Sequence, residues 1–156
     1  MTEREQLFEK KYDLYQQMVW NIAFSYLKDY NDAQDVMQES FLGFYNANKT
    51  FPSDNDEKFY LIRIVINNCK TLLKKRNRIV LFDQDMIDVL KQEMPKDDLK
   101  VTDMIQILKP IYKEVIILKY AEDFDNKMIA SILNTTEANV RKRLERALKM
   151  LRDNWE

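Results

Sequence analysis

The sequence predicts an all-α protein: two small helical domains joined by a linker, the C-terminal one containing a helix-turn-helix. Three observations carry this. One glycine and three prolines in 156 residues leave little turn chemistry for hairpins. Alternating apolar and polar stretches of strand length are scarce, while apolar spacings of three and four recur from end to end. The charge falls into blocks that divide the chain. Residues 1–57 hold 5 basic and 11 acidic residues, 58–78 hold 7 and none, 79–108 hold 3 and 7, and 109–156 hold 10 and 8. A net charge of −1 therefore hides two basic blocks separated by an acidic one.

The elements follow in order. Helical signals run from about Arg4 to Lys28 and from Asp32 to Asn46. "NANKTFPSDNDEK" reads as a loop, being rich in Asn, Asp, Ser and Pro. A basic helix runs from about Phe59 to Asn77, and "RIVLFDQDMIDVLKQEMPKDDLK" is a linker with one short helix. From Val101 helices resume, with Pro110 suited to a first helical turn. A short helix from Asn126 to Leu133, with Asp125 as N-cap, meets the break "NTT". Thr135 or Thr136 then caps a longer helix from Glu137 to about Arg152. The predicted boundaries are 1–78, an acidic linker 79–100, and 101–156.

Composition excludes several classes. No apolar run approaches the ~20 residues of a membrane span, and no signal peptide is visible. Cys69 is the single cysteine, so there is no internal disulfide framework, and a cytoplasmic location is expected. There is no histidine and no phosphate-binding glycine loop, so no enzyme, cofactor or metal is expected.

Three helical faces carry the functional signal. At about 100° per residue, Leu61, Ile62, Val65, Ile66, Cys69, Leu72 and Leu73 fall on one side of the basic helix. Tyr60, Arg63, Asn67, Lys70, Thr71 and Lys74 fall on the other. A merely solvated face would interleave Glu with Lys to gain ion pairs one turn apart; this one has no acid. Tyr60 offers a stacking surface and Asn67 an amide able to meet a base edge, which suits nucleic acid with exposed bases. On the second helix Ala33, Met37, Ser40, Phe41 and Phe44 point inward. Asp32, Asp35, Gln38, Glu39 and Leu42 point outward as a candidate protein-binding arc. Gly43 in mid-helix suggests close helix packing. In the last helix Val140, Leu144, Ala147, Leu148 and Leu151 face inward. Ala138, Asn139, Lys142, Arg146 and Lys149 face outward, flanked by Arg141 and Arg143. Two helices joined by about three residues, with a cationic second helix, fit a DNA-reading helix-turn-helix.

These residues, in this order, resemble the extracytoplasmic-function (ECF) group of the sigma-70 family, the sigma factors of bacterial RNA polymerase. "AFSYLKDYNDAQDVMQESFL" is similar to the family's polymerase-binding segment. "FYLIRIVINNCKTLLKKRNR" is similar to its promoter-melting helix, and "KEVIILKYAEDFDNKMIASILNTTEANVRKRLERALKMLR" to its final helix-turn-helix. Thr71, Val65, Asn134 and Asn139 stand where the family usually has Asp, Ala, Gly and Thr. The resemblance implies contact with the β′ clamp helices of core polymerase at Asp32, Asp35, Gln38 and Glu39, to which the exposed Leu42 is added. It implies minus-ten contact at Tyr60, Arg63, Asn67 and Lys74, with Lys70 on the same face. It implies minus-thirty-five contact from Ala138, Asn139, Arg141, Lys142, Arg143 and Arg146. The loop "NKTFPSDNDEK" matches the place where the family captures a flipped base. The implied partners are core polymerase, including its β flap, promoter DNA and an anti-sigma factor, with a monomer in the free state. The rival reading is an autonomous dimeric helix-turn-helix regulator, which accounts for the C-terminus but not for Tyr60 and Asn67 on a basic helix. A helical adaptor that binds only proteins is the other rival.

Overall fold

The computed structural model describes residues 1–75, 105, 106 and 108–155. Among them there are six named helices and no strand: α1 (Glu3–Leu27), α2 (Tyr30–Ala47), α3 (Asp54–Lys75), α4 (Pro110–Tyr120), α5 (Asn126–Leu133) and α6 (Glu137–Trp155). The expected linker 79–100, with its short helix, lies outside the described residues, as do Arg76 and Arg78.

Local chemistry sets most boundaries. Thr2 and Glu5 form a reciprocal capping box at the start of α1: the Glu5 N–H donates to Thr2 Oγ1 at 3.1 Å. α2 starts two residues before the expected Asp32, because Asp29 is the N-cap and accepts from the Asp32 N–H at 2.9 Å. α3 starts at Asp54, not Phe59, so the end of the expected loop is helical. Ser53 Oγ accepts from the Asp56 N–H at 3.1 Å, and Asp54, Asp56 and Glu57 in the first turn complement the helix dipole. Those three acids read as loop composition, yet they are also what a helix N-terminus favours.

α1, α2 and α3 pack into one bundle. Val19, Ile22, Ala23 and Tyr26 of α1 meet Ala33, Val36 and Phe41 of α2 and Leu61, Ile62, Val65, Ile66 and Cys69 of α3, all buried. Burying each large aliphatic side chain contributes about 1.5–3 kcal/mol. Polar ties fix the register: Tyr15 Oη donates to Glu57 Oε1 at 2.8 Å, Lys11 pairs with the same oxygen at 2.8 Å, and Asn68 Nδ2 donates to Ser40 Oγ at 3.0 Å.

Pro110 opens α4 in its first turn, as expected. Every residue from Tyr112 to Leu118 is buried. A helix covered all round must be central. One side of α4 packs on α5 and α6, and the other on α1, so the second group of helices sits against the first.

Two expectations about packing are corrected. Gly43 is exposed, and a methyl group there would meet only Ile64 Cγ2 at an ordinary 3.9 Å, so no close helix approach requires glycine. Leu148 is 37% exposed instead of inward. It lies one position beyond Ala147, which takes the seam between Leu144 and Leu151.

Candidate functional site

The exposed side of α3 matches the sequence reading closely. Arg63, Asn67, Thr71 and Lys74 are exposed and Tyr60 is half-buried, while Leu61, Ile62, Val65, Ile66, Cys69 and Leu73 form the opposite face. Burial pushes the Cys69 thiol up to about 12, so it is protonated and inert.

Around Tyr60 the structure gathers residues that periodicity did not reveal. Phe51 lies 5.2 Å from the Tyr60 ring and 6.4 Å from Phe44, to which it is nearly parallel. Lys49 Nζ sits 4.8 Å over the Tyr60 ring. Phe44, Phe51 and Tyr60 therefore make an aromatic group capped by a cation, at the end of α3 that carries Arg63. The signal was present in the loop as one aromatic and one basic residue, but no helical period links a loop to a helix. Beside it, the Arg4 guanidinium lies 4.0 Å over Tyr45 and donates to the Tyr45 carbonyl at 2.6 Å, closing α1 onto the end of α2.

Lys70 is engaged. It forms an ion pair with Glu114 of α4 and is one-third exposed. Lys58, the first cation of the basic block, lies 5.0 Å over Phe124. The basic helix thus divides its cations, with Arg63, Lys74 and Lys75 open and Lys58 and Lys70 facing the second group of helices.

On α2, Asp35, Gln38 and Glu39 are exposed, and Leu42 is 59% exposed beside them. Asp32 is a correction: only 3% of it is exposed, so it does not belong to the outward arc. It occupies the third position of α2, where its own N–H is held by Asp29 and a carboxylate meets the positive end of the helix. Tyr30, two residues before it at the start of the helix, is 60% exposed and packs edge-on to Trp20 at 5.2 Å.

α5 and α6 form the expected helix-turn-helix. Asp125 Oδ1 accepts from the Met128 N–H at 2.8 Å to start α5. Asn134 ends it in the left-handed conformation, φ 55° and ψ 51°, in the role a glycine usually fills. Thr136 Oγ1 accepts from the Asn139 N–H at 3.1 Å to start α6, and Asn139 Nδ2 donates to Thr135 Oγ1 at 3.1 Å. Ile129, Ala130 and Ile132 pack with Val140, Leu144 and Ala147. Ala138, Asn139, Arg141, Lys142 and Arg146 are exposed, and Arg143 is half-buried.

Titratable groups between the two sets of helices are displaced from their ordinary chemistry by burial. Lys113 is 4% exposed, lies 4.4 Å over the Tyr26 ring, and is pushed down to about 8 by burial. Burial raises the Tyr26 phenol, with the Glu114 charge adding to it. Burial also raises the Glu122 carboxyl, which shares a hydrogen bond with Asn21.

Comparison with known proteins agrees with this division. The Sigma-70 region 2 family model matches residues 12–79, and the Sigma-70 region 4 model matches residues 98–151. The RNA polymerase sigma factor SigV of Bacillus subtilis (strain 168) is 31% identical over 141 residues, covering 88% of this chain and 84% of that protein. The ECF RNA polymerase sigma factor SigX of the same organism is 29% identical over 167 residues, covering 97% and 85%. The sigma factor RpoE from Bartonella quintana, solved in complex with the anti-sigma factor NepR, shares the fold with a TM-score of 0.69 at 18% identity, covering 94% of this chain and 95% of that one. An acidic arc, a cationic helix with a cation-capped aromatic group, and a cationic helix-turn-helix, in an order matched from region 2 to region 4, place the chain in the ECF group of the sigma-70 family: it is an RNA polymerase sigma factor, which directs core polymerase to promoters and initiates transcription.

Proposed function

We propose a division of that function among three surfaces. The helices α1–α3 dock on the β′ clamp helices of core polymerase through Asp35, Gln38, Glu39 and Leu42 of α2, and read the opened minus-ten element through α3. The helix-turn-helix lays α6 in the major groove of the minus-thirty-five element. Residues 1–78 and 101–156 are the two domains, with 79–100 as the connection between them.

The observation that carries this reading is the composition of the α3 surface. It holds exposed cations, an exposed amide and a cation-capped aromatic group, with no acid from Lys58 onward. Duplex phosphates need only cations. Aromatic faces beside an amide serve bases that have left the stack. Tyr60 and Phe51 supply stacking surfaces, Arg63 and Asn67 meet base edges or sugar, and Lys74 meets phosphate. In α6, Asn139, Lys142 and Arg146 lie on the exposed face, while Arg141 and Arg143 flank it and reach phosphates.

With a net charge of −1, the chain neutralises few phosphates unaided, so promoter binding depends on polymerase. The anti-sigma partner of RpoE supports a restraining partner of the same class here.

Run-off transcription with core polymerase on candidate promoters tests the reading. Reversing Asp35 and Glu39 together to Lys is expected to abolish association with core polymerase while leaving the far-ultraviolet dichroism unchanged. Unaltered association would refute the assignment of α2.

A further inference from the structure

The first turn of α6 carries a side chain whose hydrogen-bonding edge is set before any DNA arrives. Asn139 is the third residue of α6 and is exposed. Its backbone N–H donates to Thr136 Oγ1 at 3.1 Å, which caps the helix. Its side chain makes a second, separate bond: Nδ2 donates to Thr135 Oγ1, also at 3.1 Å. Thr135 is a fixed point for that bond. It is half-buried, its own N–H donates to the Ala130 carbonyl at 3.0 Å, and it follows the left-handed Asn134 at the corner between α5 and α6.

The amide bond to Thr135 satisfies no backbone group, and water could replace it at an exposed site, so it adds little to stability. Its consequence is to choose which way the amide faces. A primary amide has one oxygen and two N–H groups. With one N–H held by Thr135, the oxygen and the other N–H remain, an acceptor beside a donor. In the major groove adenine presents its N6 amino donor beside the N7 acceptor, the complement of that pair. Guanine presents two acceptors, O6 and N7, so the amide oxygen would face another oxygen. Cytosine offers only its N4 donor, and thymine an acceptor and a methyl group. Lys142 and Arg146, on the same face, carry donors alone and cannot make this distinction. Ala138, exposed beside Asn139, ends at its methyl group and leaves the first turn free to approach the bases. In a helix-turn-helix it is the N-terminal residues of the second helix that meet base edges.

We propose that Asn139 reads one adenine of the minus-thirty-five element by paired hydrogen bonds to N6 and N7, and that Thr135 is the positioning residue that holds the amide the right way round. The inference rests on α6 lying in the major groove, and adds the base that is read and the residue that sets the choice.

Selection by holoenzyme from promoter duplexes randomised across both elements, with sequencing of the bound fraction, tests it. At one upstream position adenine is expected to exceed each other base by about tenfold or more, the discrimination of a bidentate pair. Asn139→Ala is expected to flatten that position alone. Thr135→Val keeps the branched shape but removes the oxygen. The amide is then free to turn over, and the ratio of adenine to guanine at that position is expected to fall toward one. Thr135→Ser restores the oxygen and should restore the ratio; a packing role predicts the reverse, since Val keeps the methyl group and Ser loses it. Circular dichroism checks that each variant is folded. Guanine in place of adenine at the position that answers to Asn139, no position that answers to it, or an unaltered ratio in Thr135→Val would each overturn the proposal. A preference that answers to Lys142→Ala or Arg146→Ala but not to Asn139→Ala would leave α6 in the groove and remove only the adenine assignment. A selection that answers to none of the three would remove α6 from the groove as well.

Discussion

Gly43 shows how a single residue separates what sequence suggests from what packing demands. A glycine inside a helix costs about 1 kcal/mol relative to alanine, and such a cost invites a reason. The structure supplies none, because Gly43 is exposed and its nearest neighbour sits at 3.9 Å. Gly43→Ala is therefore expected to stabilise the chain by roughly 1 kcal/mol, raising the melting temperature by about 2–4 °C. Calorimetry of the two proteins checks it, and a lower melting temperature would mean that glycine is required after all. Phe51 is the converse case, a loop residue with no periodic signal that the fold brings to Tyr60. Phe51→Ala is expected to weaken open-complex formation by about 1–3 kcal/mol, the worth of one stacked base. Permanganate footprinting of the melted region with reconstituted holoenzyme measures it.

At the level of elements, α6 is the simplest to probe. Its exposed cations act on phosphates, whose contribution to binding falls with salt in proportion to the number neutralised. Replacing Arg141 and Arg143, the two cations assigned to phosphates, by Ala is expected to lower the slope of log K against log salt by about 2 for holoenzyme on promoter duplex. An unchanged slope would remove α6 from the duplex. Much of the helix-turn-helix was legible in the sequence, since Asp125 before α5, Thr136 before α6 and the 140, 144, 147, 151 spacing all act locally. The same holds for α3, where the period sorted Leu61, Val65 and Cys69 from Arg63, Asn67 and Lys74. What could not be read was whatever depends on a second element. Asp32 has the period of an outward residue, but Asp29, the cap immediately before the helix, holds its N–H in a buried first turn. Lys70 has the period of a free cation, and Glu114, 44 positions away, takes it. The start of α3 was misplaced because Asp, Asn and Ser favour loops and helix N-termini alike.

For the molecule as a whole, buried titratable groups set an alkaline limit. Cys69, ordinarily near 9, is pushed to about 12, and the Tyr15 and Tyr26 phenols are raised above their ordinary 10, all three by burial first. Each keeps its proton longer in the folded chain than in the unfolded one. Their stabilising effect is complete below pH 9 and is lost as pH rises from 9 through 12. Lys113 has the opposite sign: lowered from 10.5 to about 8, it binds its proton less well when folded, so its contribution to stability grows between pH 8 and 10.5. Three groups oppose one. Urea denaturation is expected to show stability rising modestly from pH 8 to 9 as Lys113 contributes, holding nearly level from 9 to 10 while Cys69 offsets it, and falling above pH 10 once both phenols join; stability that climbed steadily to pH 11 would contradict the burial of the phenols and the thiol.

The way the helices hand over to one another has its own consequence. Lys28, Asn48, Asp123 and Asn134 all take left-handed backbone at a corner, and none is a glycine. Left-handed backbone costs an ordinary residue about 1–2 kcal/mol, less for Asn and Asp. The fold thus carries avoidable strain at several independent corners, a thermal margin left unclaimed. Relieving it at Lys28 with glycine, at the corner between α1 and α2, offers a route to a longer-lived chain for reconstitution.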